Sequence, residues 1–100
     1  MKLPKTINIC GKTFAVVRDR KLYGGKGSTA SQKITIGTKY PKNERHFENF
    51  IHEVAEVIAC EREYRYGDGH SENSVFVMNH KEFDVFIQDF AAVLKQVIKE

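Results

Sequence analysis

The chain has 100 residues, 41% hydrophobic and 29% charged, a balance that suits one folded domain spanning 1–100 and argues against disorder. No apolar run approaches the roughly 18–20 residues of a membrane span, and Met1-Lys2-Leu3-Pro4-Lys5 leads straight into strand-like sequence, so neither a membrane segment nor a signal peptide is expected. The net charge is only +3, yet residues 1–45 hold eleven Lys/Arg against two Asp/Glu, while residues 46–100 hold five against eleven.

That split has two readings. The preferred one is that the two halves attract each other across a shared core. The other is that the basic half binds nucleic acid or an acidic partner. The basic residues are scattered, no recognition helix precedes them, and the aromatics among them form no evident stacking platform, so a nucleic-acid partner is not expected. Cys10 and Cys60 are the only cysteines, too few for a disulfide framework and too far apart for a cysteine zinc site. Both are expected as free thiols in a reducing cytoplasm, with a single disulfide as the alternative.

Thr6-Ile7-Asn8-Ile9-Cys10 alternates in a strand pattern, Gly11-Lys12 signals a turn, and Thr13 to Arg18 reads as the second strand of a hairpin. Asp19 to Gln32 reads as a loop carrying Gly24, Gly25 and Gly27. A phosphate loop would end in Gly-Lys-Ser/Thr at a helix start. Here another strand, Lys33-Ile34-Thr35-Ile36-Gly37, follows instead, so the glycines are read as loop geometry. Asn43 can cap a helix from near Glu44 to about Glu61 or Glu63, with Phe47, Phe50, Ile51, Val54 and Ile58 on one face. Tyr64 to His70 reads as a loop and Ser74 to Met78 as a short strand. Asn79, with Glu82 three residues on, forms a capping box for a second helix. Its stripe is Phe83, Phe86, Ile87, Phe90, Val93, Leu94, Val97 and Ile98. The predicted fold is α+β: a small antiparallel-type sheet with two packed helices, in the order β-β-β-α-β-α. Phe50, Val54, Phe86 and Phe90 are predicted core residues.

His52, Glu53 and Glu56 lie off the apolar stripe of the first helix. His52 and Glu56 are four apart, so their side chains can meet above the helix surface, with Glu53 beside them. This is nearly His-Glu-x-x-His, with Glu56 in place of the second His. On the polar side of an amphipathic helix the same residues also suit an ordinary solvated face. Of the other histidines, His46 is expected to face solvent and His70 sits in the Gly-rich loop. His80 is better placed, in the first turn of the second helix, where the positive helix end favours a neutral imidazole. Asp84, four residues on, can orient that ring.

The strand order, together with Leu22-Tyr23-Gly24 before Ile34-Thr35-Ile36, then Ile51-His52-Glu53-Val54-Ala55-Glu56, then Phe76-Val77-Met78-Asn79-His80, resembles the minimal zincin (gluzincin-like) metallopeptidases. Small phage- and prophage-encoded zincin-like proteins are the nearer likeness. The resemblance implies a zincin-like fold, zinc as cofactor, His52 as first ligand, Glu53 as general base and Glu56 in the second-ligand position. Physical argument adds His80 as the third ligand. The function expected is a zinc-dependent hydrolase of metallopeptidase type acting on a peptide or protein. The alternatives are a non-catalytic zincin-like module that binds a protein and, behind it, a nucleic-acid-associated protein.

Overall fold

A computed structural model of the chain describes residues 3–41, 43–66 and 75–98. Strands β1 (Thr6–Ile9), β2 (Lys12–Asp19), β3 (Gly25–Ser28) and β4 (Lys33–Gly37) come first. Helix α1 (Asn43–Glu61) follows, then strands β5 (Arg65–Tyr66) and β6 (Val75–Phe76), then helix α2 (His80–Val97). The fold is α+β as predicted, but its elements number two strands more than the predicted order.

Strands β1 and β2 form the predicted hairpin, with Ile9 opposite Lys12. Its two-residue loop is Cys10-Gly11, both at positive φ (51° and 82°), which the tight twist-matched hairpin turn requires. The sheet order is β1-β2-β4-β3. β3 and β4 are antiparallel, but β2 and β4 are parallel, with Val16 opposite Ile34 and Arg18 opposite Ile36. The sheet is therefore mixed, which corrects the antiparallel-type expectation. Its cause is β3, hidden inside the stretch read as a loop. The chain runs out to the sheet edge, turns, and returns as β4 alongside β2.

Gly25-Lys26-Gly27-Ser28 contains no apolar or β-branched residue, so no alternation betrays the strand. Its glycines are there because α1 lies close. A Cβ on Gly27 would stand 2.9 Å from Val57 Cγ2, and one on Gly25 would stand 2.8 Å from the Thr35 carbonyl oxygen and 3.0 Å from Glu53 Cγ. A second small sheet pairs β5 with β6. β5 falls in the other segment read as a loop, and the strand read over Ser74 to Met78 shortens to Val75–Phe76, with Ser74 outside the described residues.

Alternation along the strands sends Ile7, Ile9, Phe14, Ile34 and Ile36 to one face, where they are buried. Both helices cover that face. α1 contributes Phe50, Val54, Val57 and Ile58, and α2 contributes Val93 and Val97. Burial of each such side chain is worth about 1.5–3 kcal/mol. Phe50 and Val54 are core residues as predicted, whereas Phe86 and Phe90 are only partly buried and Phe83 and Ile87 are exposed. α2 packs mainly on β1 and α1, so its first turns have little apolar surface to meet.

Three polar ties fix α2. Asn79 and Glu82 make the predicted capping box, with Glu82 N–H donating to Asn79 Oδ1 (2.8 Å) and Asn79 N–H to Glu82 Oε1 (3.0 Å). Arg62, just past α1, grips Asp89 with two hydrogen bonds of 2.7 and 2.9 Å. The Gln96 amide bonds both the N–H and the carbonyl of Asn8, each at 2.8 Å. No described helix is long and apolar enough to cross a membrane.

Candidate metal centre

Helix α1 is amphipathic, and its apolar face turns toward the sheet. His52 lies on the opposite side, with its side chain 68% exposed. One helical turn on, Glu56 Oε2 comes within 3.2 Å of His52 Nε2, as the i, i+4 spacing requires. Glu53 behaves differently from the sequence reading, which put it off the buried face with His52. Its side chain is 8% exposed, because β3 lies over the flank of α1 that carries Glu53 and Val57. Bare backbone at Gly25 and Gly27 makes that cover possible.

One imidazole nitrogen and one oxygen from each carboxylate lie within 4.8 Å of one another. Glu53 Oε2 is 3.9 Å from His52 Nε2. Burial, and secondarily the Glu56 charge, raises the Glu53 pKa above the ordinary glutamate range, while His52 and Arg65 pull it down. Arg65, from β5, brings Nη2 to 3.6 Å from Glu56 Oε1. Glu56 is thus shared between His52 and a guanidinium that the sequence reading passed over. Arg65 lies nine residues beyond Glu56 and past the end of α1, where helical spacing gives no signal.

The three groups could hold a metal ion. A mixed imidazole–carboxylate set suits borderline metals such as zinc, and a cation there offsets the repulsion between Glu53 and Glu56. Neither cysteine belongs to the cluster, and both are free. Burial, then the nearby Asp89, holds the Cys10 thiol above its usual pKa, so it is a poor ligand.

The remaining histidines are placed as follows. His80 opens α2 with its side chain 91% exposed, and Asp84 Oδ2 sits 3.5 Å from its Nδ1. Among the described residues the converging set is His52, Glu53 and Glu56, and His80 is not part of it. His46, expected to face solvent, is buried, with Nε2 in a hydrogen bond to the Tyr40 carbonyl. Its place on α1 set it off the stripe, but the segment ending at Tyr40 folds back over it. His70 lies outside the described residues. The chain matches no protein-family model, no curated protein and no solved structure.

Proposed function

We propose that the chain is a metal-dependent hydrolase, with zinc as the metal and a peptide or protein as substrate. The observation that carries this reading is the convergence of His52, Glu53 and Glu56 with one carboxylate buried and the imidazole open to solvent. His52 and Glu56 would hold the ion. Zinc so bound supplies Lewis acidity and acidifies water in contact with it. Glu53, its proton affinity raised by burial, accepts a proton from the attacking water and returns it to the leaving group. β3 shields one side of Glu53 from solvent, and Arg65 holds Glu56 in place when no cation does.

The test is the zinc content of protein purified without added metal, with calorimetric titration and turnover of a mixed fluorogenic peptide library. Stoichiometric zinc is expected, abolished by His52→Ala. Glu53→Gln should keep the metal and stop hydrolysis. His80→Ala with unchanged zinc affinity would remove the third-ligand role of His80. Zinc affinity weaker than about 1 mM, unaltered by His52→Ala, would refute the hydrolase and leave the non-catalytic protein-binding module.

A further inference from the structure

The sheet face turned away from both helices carries a strong, unbalanced charge. Val17 and Thr35 stand side by side in the register of β2 and β4, and Lys26 of β3 completes the row. They floor a depression of about 270 Å³. Around it stand Arg18, Arg20, Lys21, Lys26 and Lys33, with Asp19 the single acid. All five cationic residues are exposed. Among the described residues none of the five forms an ion pair, and Lys12–Glu61 (2.9 Å) is the one long-range ion pair between the basic and acidic halves. The charge split is therefore not spent inside the fold.

An aromatic pair follows the lining residues Arg20 and Lys21 along the chain. The loop after β2 carries Arg20 and Lys21 directly to Tyr23, and its backbone is locked to the strand ends by Thr38 N–H to the Asp19 carbonyl (2.9 Å) and Lys39 N–H to the Leu22 carbonyl (3.0 Å). Tyr23 lies against Tyr40 with ring centroids 4.8 Å apart, and the two are 52% and 42% exposed. Lys39 Nζ sits 4.6 Å from the Tyr23 centroid and Arg45 Cζ 5.4 Å from that of Tyr40. Two anchors hold the pair from below: Asn49 of α1 donates to the Tyr23 carbonyl (2.8 Å), and buried His46 bonds that of Tyr40. Lys21 and Tyr23 are two residues apart, at most about 7 Å of chain.

We propose that this open sheet face binds single-stranded nucleic acid, with Arg20, Lys21, Lys26 and Lys33 taking phosphates and the Tyr23–Tyr40 pair, beyond the ends of β2 and β4, stacking a base. Cations that track a backbone beside exposed aromatic rings are the recurring recipe for single strands. An acidic peptide would use the cations but has no bases for the tyrosines to stack. Duplex reading needs an element that enters a groove, and both helices are packed on the other face of the sheet. The surface is independent of the His52 cluster, since Lys26 points away from α1 while Gly25 and Gly27 point toward it.

Fluorescence anisotropy of the full chain tests this, with a labelled oligothymidylate of roughly 16 nucleotides, the matching oligouridylate, a duplex and polyglutamate. Neutralisation of four phosphates gives a log–log salt slope of about −2.8. Lys26→Gln should make the slope shallower by about 0.7. Tyr23→Ala should weaken single-strand binding roughly 5- to 150-fold, and Lys81→Glu, on α2, should change nothing. Comparable binding of the two oligonucleotides supports stacking without sugar readout, and preference for one assigns the same surface to that sugar. Polyglutamate bound as tightly as oligothymidylate would overturn the proposal in favour of an acidic protein partner. Duplex preferred over single strand, no binding at low salt, or variants without effect would also overturn it.

Discussion

Gly27→Ala isolates the packing of β3 on α1. Gly27 has no positive φ, so alanine meets no backbone penalty there. Loss of glycine freedom in the unfolded chain would by itself stabilise the protein by about 0.4–1 kcal/mol. Against that, the new methyl lands 2.9 Å from Cγ2 of Val57, a buried β-branched side chain. Overpacking of this kind costs about 1–3 kcal/mol. A net loss of about 1–2 kcal/mol is expected, or roughly 4–16 °C in Tm for a domain of this size. Urea unfolding with an unchanged m-value measures it. Gly24→Ala is the control, because its methyl meets nothing within 4 Å. In a Val57→Ala background the obstructing atom is gone, so the same substitution should become neutral or stabilising, a coupling of about 1–3 kcal/mol. Gly27→Ala as stable as the parent, or equally costly in both backgrounds, would refute the close packing of strand on helix.

Phe50→Ala should cost about 3–5 kcal/mol in urea unfolding, and Phe86→Ala, at a partly exposed site, clearly less; equal losses would contradict the placement of the core over the sheet. Because folding raises the Glu53 pKa, the folded state holds this proton more tightly than the unfolded one, so stability falls as pH rises from about 4.3, the ordinary glutamate value, through the raised one. Glu53→Gln should remove that slope, and the gap between variant and parent should widen from acid to neutral pH; a pH-independent gap would count against a buried, titrating Glu53. Asn79→Ala should lower stability by about 0.5–2 kcal/mol through loss of the α2 cap, with little change if the cap contributes nothing.

The helices were legible because their apolar residues recur at helical spacing and Asn79 and Glu82 announce a start. β3 was not, since its glycines answer to the helix packed against them and not to any strand preference. The burial of Glu53 follows from that same hidden strand, so helical spacing could place its carboxylate beside His52 but not under cover. His46 was misjudged for a like reason, as a segment joined to α1 through tertiary folding closes over it. Tyr23 and Tyr40 are seventeen residues apart, and only the return of the chain through β3 and β4 brings their rings together. Spacing within one element was informative, and proximity between elements was not.

The two hydrogen bonds from Gln96 to Asn8 do more than fasten a helix. β1 is an outer strand, and a bare outer strand invites a strand from another molecule to pair with it. The Gln96 amide presents one donor and one acceptor side by side, as a neighbouring peptide group would, and takes up the N–H and carbonyl of Asn8. It is a counterfeit strand one residue long. The opposite edge is guarded by other means, since β3 has only four residues, two of them glycine, with Lys26 standing among them. Gln96→Ala should therefore reveal itself less in the melting of dilute protein than in self-association as concentration rises, seen by light scattering and relieved by a lysine placed at Asn8.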